Sequence, residues 1–360
     1  MPLRAQYCKH TLNFKFDAGT SRGVLKNKDS FYLKIFNQNE PERFGIGEAG
    51  PLKGLSIDFG EIAEQKLIEL VREINRNEFE YTDIVNIISY LRNYPSVLFA
   101  LETALADLNY GGKRKIFDND FFNKQKETVI NGLIWMGEKD FMSAQIEKKL
   151  QEGYDTIKMK IGAIDFDTEI GLLKSIRANF SREEVTLRVD ANGAFEKSDV
   201  MKKLEILSEL DIHSIEQPIK QGQTELMAEL CEKSLVPIAL DEELITVTDP
   251  GEKKKLLKTI KPPYIILKPS LMGGLQGSSE WIEEAEKQDI QWWMTSALES
   301  NIGLNAICQF TAEFDNPLPQ GLGTGQLYTN NVSSPLQIKR GKISYSPAEN
   351  WDLSLLHFID

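Results

Sequence analysis

Four short apolar segments in the second half of the chain each end in a charged residue at nearly constant spacing. They read Leu187-Arg188-Val189-Asp190, Ser214-Ile215-Glu216, Ala239-Leu240-Asp241 and Ile266-Leu267-Lys268, with the charges 26, 25 and 27 residues apart. That interval is one strand plus one helix and its loops, so the pattern constrains topology before any single residue does. Extending it predicts strands near 131–136, 156–161, 186–192, 214–218, 237–242, 264–269, 291–297 and 320–325, separated by charged, helix-like segments. Eight such units predict an α/β chain with a TIM-type (β/α) barrel, whose strand ends converge on one mouth. The alternative is a doubly wound open sheet, but no G-x-G-x-x-G follows the first strand to support a dinucleotide fold.

The second of these strands, Thr156-Ile157-Lys158-Met159-Lys160-Ile161, carries two lysines one residue apart. Period-2 alternation puts both on one face and Ile157, Met159 and Ile161 on the other. An isolated K-x-K is usually an edge-strand surface feature. Here the following strands end in Asp190, Glu216, Asp241 and Lys268, which would face the lysines across the mouth. Repulsion within the pair is expected to lower a lysine pKa towards that of a working base. Three carboxylates without a cation would repel one another, and three hard oxygen ligands suit Mg²⁺. Zinc is disfavoured, since His10, His213 and His357 are scattered and none ends a strand. Asn192 lies on the face of Asp190. Glu242 is either a turn residue or a partner of the metal ligands. A divalent cation on a substrate carboxylate acidifies the adjacent C–H. Lys160 is then the candidate base, with Lys158 its electrostatic neighbour and Lys268 a second acid/base or a fixed cation.

The first third predicts an α+β unit. Strand-like segments at 7–16 and 30–36 flank a small-residue loop, Gly19-Thr20-Ser21-Arg22-Gly23, and a second loop is expected over Gly45–Leu52. Leu67, Leu70, Val71 and Ile74 fall on one helical stripe, and Leu98, Leu101, Leu105 and Leu108 on another that starts after Pro95. A net charge of −12 argues against nucleic acid or an anionic membrane as partner. The three cysteines, Cys8, Cys231 and Cys308, are far apart with no C-x-x-C, which suggests a reducing compartment. No signal-like or membrane-length apolar run is evident, so a cytoplasmic location is expected. The sequence leaves the oligomeric state open.

Lys158-Met159-Lys160, Asp190-Ala191-Asn192, Glu216-Gln217-Pro218, Asp241-Glu242 and Lys268-Pro269 together resemble the muconate-lactonizing branch of the enolase superfamily, over nearly the full chain. The resemblance implies a modified barrel at 126–337. It also implies a capping domain at 1–125, completed by the C-terminal tail from about 338 to 360, with the loops at 20–23 and 47–52 closing over the mouth. Lys268-Pro269-Ser270-Leu271-Met272-Gly273-Gly274, the segment 296–304 and Gly321-Leu322-Gly323-Thr324-Gly325 are most similar to the o-succinylbenzoate synthase family. That family implies Mg²⁺, which Mn²⁺ can replace, held by Asp190, Glu216 and Asp241. It implies a small anionic carboxylate substrate, 2-succinyl-6-hydroxy-2,4-cyclohexadiene-1-carboxylate, dehydrated on one face by Lys160 while Lys268 contributes charge. Ser270, Gly273, Ser296, Glu299, Gly321 and Gly323 are candidate substrate contacts. The acid-free 321–325 stretch suits a second carboxylate better than an ammonium. The alternatives are an N-acylamino acid racemase or dipeptide epimerase on the same parts, or a non-catalytic binding barrel.

Overall fold

The computed structural model describes residues 2–20, 23–77, 79–80 and 87–359; Ser21 and Arg22 of the expected first loop lie outside them. β1 (Leu3–Thr20), β2 (Gly23–Asn37) and β3 (Glu40–Ala49) form an antiparallel sheet. The helix Glu61–Asn77 turns Leu67, Leu70, Val71 and Ile74 inward. The helix Pro95–Asn109, with Pro95 in its first turn, buries Leu98, Leu101, Leu105 and Leu108. Both stripes join one core with Leu33, Ile35 and Ala49 of the sheet.

The second loop expected at Gly45–Leu52 is strand as far as Ala49. The glycines are there for packing rather than for a turn. A Cβ on Gly45 would stand 1.8 Å from the Ala104 carbonyl oxygen, and one on Gly47 2.0 Å from that of Ala100. Glycine lets the strand and the helix Pro95–Asn109 meet backbone to backbone.

After β4 (Thr128–Val129) the chain builds a seven-stranded parallel sheet in sequence order. Its strands are β5 (Gly132–Ile134), β6 (Thr156–Lys160), β7 (Thr186–Asp190), β8 (Ile212–Glu216), β9 (Ile238–Leu240), β10 (Tyr264–Leu267) and β11 (Gln291–Met294). Outward residues such as Ile157, Met159, Leu187, Val189, Ile215 and Leu240 share the large core with the surrounding helices.

The eighth strand expected at 320–325 is reduced to two bridging residues. Gln320 pairs with Ile130 beside β5, and Gly321 with Thr295 beyond β11, both parallel. Four backbone bonds of 2.7–3.0 Å through Gln320 and Gly321 make this closure. Pro317 and Pro319, which have no N–H to give a ladder, keep the strand from starting earlier. Gly321 sits so close to Thr295 that a Cβ would lie 1.6 Å from its Oγ1, and the chain then turns into a short 3-10 helix at Thr324–Gln326.

The tail divides. β12 (Leu336–Lys339) and β13 (Lys342–Tyr345) form a hairpin on β4, and Ile343 and Tyr345 belong to the barrel core. On either side of that hairpin the chain pairs with β1 of the N-terminal sheet, Tyr328 with Phe14 before it and Ile359 with Tyr7 after it. Among the described residues no helix is long and apolar enough to cross a membrane.

Two carboxylates from the N-terminal unit cap barrel helices. Glu48 on β3 accepts from Ser300 N (2.9 Å), Ser300 Oγ (2.6 Å) and Gly303 N (2.9 Å) at the start of the helix Asn301–Thr311. Glu102 accepts from Leu275 N (2.5 Å) and Gln276 N (3.1 Å) at the start of the helix Gly274–Glu286. Unsatisfied N–H groups and a positive dipole end make each helix start a fit for an anion. These contacts fix the N-terminal unit over the barrel.

Candidate active site

The parallel register sets Lys160 beside Asp190 and Asp190 beside Glu216, on three adjoining strands at one level. Asp241 lies one residue beyond β9 and Lys268 one beyond β10, so both join the same rim. Alternation turns Ala239 and Ile266 inward beneath them, packed with Trp293. The Arg188 guanidinium lies 4.0 Å over the Trp293 ring. The barrel floor is thus filled, and polar chemistry is confined to the strand ends. Above it opens a cavity of about 740 Å³, lined by Lys158, Lys160, Asp190, Asn192, Glu216 and Lys268 among others.

Each lysine has a carboxylate partner. Lys160 Nζ donates to Asp190 Oδ2 (2.8 Å) and Asn192 Oδ1 (2.7 Å). Lys158 bridges Asp190 (3.1 Å) and Glu216. Lys268 pairs with Asp241 and stands 4.0 Å from Glu216. Burial pulls the Lys158 ammonium down, but Asp190 and Glu216 outweigh it and hold it above its ordinary value. Lys268 is likewise raised, burial being overcome by Asp241 and Glu216. The lowering expected from lysine–lysine repulsion is therefore reversed at Lys158, because Asp190 and Glu216 pair with its ammonium. Burial and then the neighbouring Asp190 push Glu216 up to about 8. Asp190 goes the other way: burial opposes ionisation there, and Lys158 and Lys160 more than offset it.

The acids fit a hard cation. Among the described residues no three His, Cys, Asp or Glu side chains form a ready metal cluster, since lysine ammoniums stand between the carboxylates. Yet Glu216 Oε1 and Asp241 Oδ1 are buried and accept no hydrogen bond. Buried carboxylate oxygens without a donor are costly, and a divalent ion with oxygen preference would satisfy both.

A family model described as enolase C-terminal domain-like matches residues 142–348. The o-succinylbenzoate synthase of Desulfotalea psychrophila is 44% identical across 96% of this chain and 99% of its own length. This chain belongs to the enolase superfamily. The crystal structure of MenC from Desulfotalea psychrophila matches with a TM-score of 0.85 at 41% identity, over 96% of this chain and 100% of that one. A dipeptide epimerase from Enterococcus faecalis, complexed with Mg and L-Leu-L-Tyr, matches with a TM-score of 0.84 at 19% identity, over 96% and 98% of the two chains. That second likeness is one of fold.

The cavity lies at the barrel mouth, under residues of the N-terminal unit. Ser296, Gly321 and Gly323 line the cavity. Glu299 stands behind that wall, fully buried, accepting from Ser270 and from Ser296 Oγ (2.5 Å). Ser270 and Glu299 thus support Ser296, which also accepts from Thr324 Oγ1 (2.6 Å). Gly273 is elsewhere: it borders a small cleft with Arg92 and Leu98 on the far side of its loop. It takes φ +88° at the start of the helix Gly274–Glu286, which explains the glycine without a ligand. Glu242 accepts from Asn192 Nδ2 (3.1 Å) and so orients the amide that holds Lys160.

Several lining residues were not anticipated. Asn131, Leu133 and Trp135 all face the cavity, and their strict alternation after residue 130 was an available signal. Lys15 and Phe16 from β1, Val24 and Leu25 from β2, and Lys53 and Leu55 after β3 also cover the mouth, beside Gly23 and Leu52 of the two loops expected to close over it. Gln217 fixes the turn after β9, its Oε1 accepting from Asp241 N (3.2 Å) and Glu243 N (3.3 Å).

Proposed function

We propose that this chain is a dehydratase that converts 2-succinyl-6-hydroxy-2,4-cyclohexadiene-1-carboxylate to 2-succinylbenzoate, a step of menaquinone biosynthesis. The observation that carries the reading is the 44% identity, over both chains almost end to end, to an o-succinylbenzoate synthase. The cavity supports it, with lysines on its polar wall and no acid in the 321–325 stretch that would favour an ammonium-bearing dipeptide.

Asp190, Glu216 and Asp241 would hold Mg²⁺, with Mn²⁺ a substitute. When bound, the ion supplies charge that neutralises the ring carboxylate and acidifies the C–H beside it. Lys160 takes that proton, and the electron pair left behind forms the new ring double bond as the C–O bond breaks. Lys160 then gives the proton to the hydroxide leaving from the same face, so water departs and the ring becomes aromatic. Asn192, itself held by Glu242, fixes the Lys160 ammonium; Lys158 supplies charge beside it. Lys268 presents a fixed positive charge from the other side of the mouth. Phe16, Leu25, Trp135 and Leu298 exclude water from the reacting ring.

The catalytic unit is read as residues 126–337, with residues 1–125 and the tail from about 338 as the cap, and the enzyme as cytoplasmic. The experiment is loss of the cyclohexadiene absorbance with purified protein, with Mg²⁺ and after chelation. Magnesium-dependent formation of 2-succinylbenzoate is expected. No turnover, together with racemisation of N-acyl amino acids, would replace the reading with an isomerase.

A further inference from the structure

The rim of the cavity differs in character from its floor. Lys15, Lys53, Lys148 and Lys149 all line it, while the only carboxylates among the described lining residues are Asp190 and Glu216 of the floor. Two of the four lysines are committed. Glu152 lies 3.9 Å from Lys148 and 2.8 Å from Lys149, and Lys149 also stands 4.6 Å over the Tyr154 ring. Lys15 and Lys53 are exposed, and neither has a carboxylate partner among the described residues.

On a chain of net charge −12, two unneutralised ammonium groups at the edge of a concave site are a local reversal of the field. Such a site raises the local concentration of anions and repels cations. Both residues come from the N-terminal unit, Lys15 on β1 and Lys53 just after β3, whereas Lys160 and Lys268 rise from the barrel. The same cavity carries an apolar belt of Phe16, Leu25, Leu52, Trp135 and Leu298, enough for a ring. The Gly321 N–H, an expected donor to a second carboxylate, is spent on Met294 O at 2.7 Å.

We propose that Lys15 and Lys53 bind the second carboxylate of a dianionic substrate and so select dianions over zwitterions. The identity of that carboxylate as the succinyl end rests on the dehydratase reading; the selection for a second negative charge does not. An ammonium–carboxylate contact at a partly exposed site is worth about a fivefold change in binding.

The test uses Lys15→Met, Lys53→Met and the double variant, with Lys53→Arg as a charge-retaining control. Each Met substitution is expected to raise KM about fivefold, the double variant about twentyfold, with kcat within twofold and Lys53→Arg close to wild type. Calorimetry provides an independent readout. Wild type should bind 2-succinylbenzoate more tightly than its succinyl methyl ester, and the double variant should lose that preference. Unchanged KM and an unchanged preference in the double variant overturn the proposal while leaving the dehydratase reading intact. If wild type turns over none of the cyclohexadiene yet keeps a dicarboxylate preference that the double variant loses, the dehydratase reading falls and this one stands.

Discussion

Glu102 shows how much one side chain can reveal about its surroundings. It forms no ion pair among the described residues, yet its half-buried carboxylate accepts two backbone N–H groups from the helix Gly274–Glu286. Burial, with Glu280 nearby, pushes its pKa up to about 7 against the opposing pull of those two donors. A carboxyl whose folded pKa exceeds its unfolded value stabilises fully below the unfolded pKa, near 4.5, and loses that contribution as pH rises through 7. Glu102→Gln removes the titration. The stability of wild type relative to this variant should therefore fall by on the order of 3 kcal/mol between pH 5 and pH 8. Urea melts of both proteins across that range measure it, and parallel curves would contradict the assignment. Nothing in the sequence marked this residue, because its partner lies 173 positions away on an element of the other unit. The charged strand ends were legible for the opposite reason. A parallel barrel maps sequence period onto one mouth, so Lys160, Asp190, Glu216, Asp241 and Lys268 needed only their spacing to be brought together.

Among the elements, β3 and the eighth barrel strand carry the main differences from expectation, and both turn on glycine and proline. Gly45-Ile46-Gly47 reads as a loop because glycine weakens a strand by propensity alone. Here the missing side chains are filled by the backbone of the helix Pro95–Asn109, an effect visible only once the two elements are docked. Gly47→Ala would drive a Cβ to 2.0 Å from the Ala100 carbonyl oxygen, and neither strand nor helix can yield without losing ladder bonds. We expect a loss of about 3 kcal/mol in urea denaturation; a loss under about 0.5 kcal/mol would show that the two elements slide apart freely. The expected eighth strand contained the correct closing residues, Gln320 and Gly321, but its length was overread. Pro317 and Pro319 limit it on one side and the 3-10 turn at Thr324 on the other.

At the scale of the whole molecule, the N-terminal unit does two things for the barrel. Through Glu48 and Glu102 it caps two helix starts and is thereby held over the mouth. Through Lys15, Phe16, Leu25, Leu52 and Lys53 it supplies one wall of the cavity. The barrel brings the reacting groups together with Trp135 and Leu298, and the cap adds the rest of the apolar belt and two lysines with no carboxylate partner among the described residues. This division explains why the charged strand ends and Ser296, Gly321 and Gly323 of the barrel were readable, and most of the lining residues of the cap were not. The reacting groups repeat along one contiguous sequence pattern. The cap contacts are set by the docking of two units, and their residues carry no period.

Under the proposed function, Lys160 moves the proton in a dehydration whose other parts stand around it. The most direct measurement is kcat/KM for 2-succinyl-6-hydroxy-2,4-cyclohexadiene-1-carboxylate at saturating Mg²⁺, for wild type and for Lys160→Ala, with circular dichroism confirming that both are folded. A general acid–base lysine should cost about 10²- to 10⁴-fold or more when removed. A folded Lys160→Ala variant within tenfold of wild type would contradict the account.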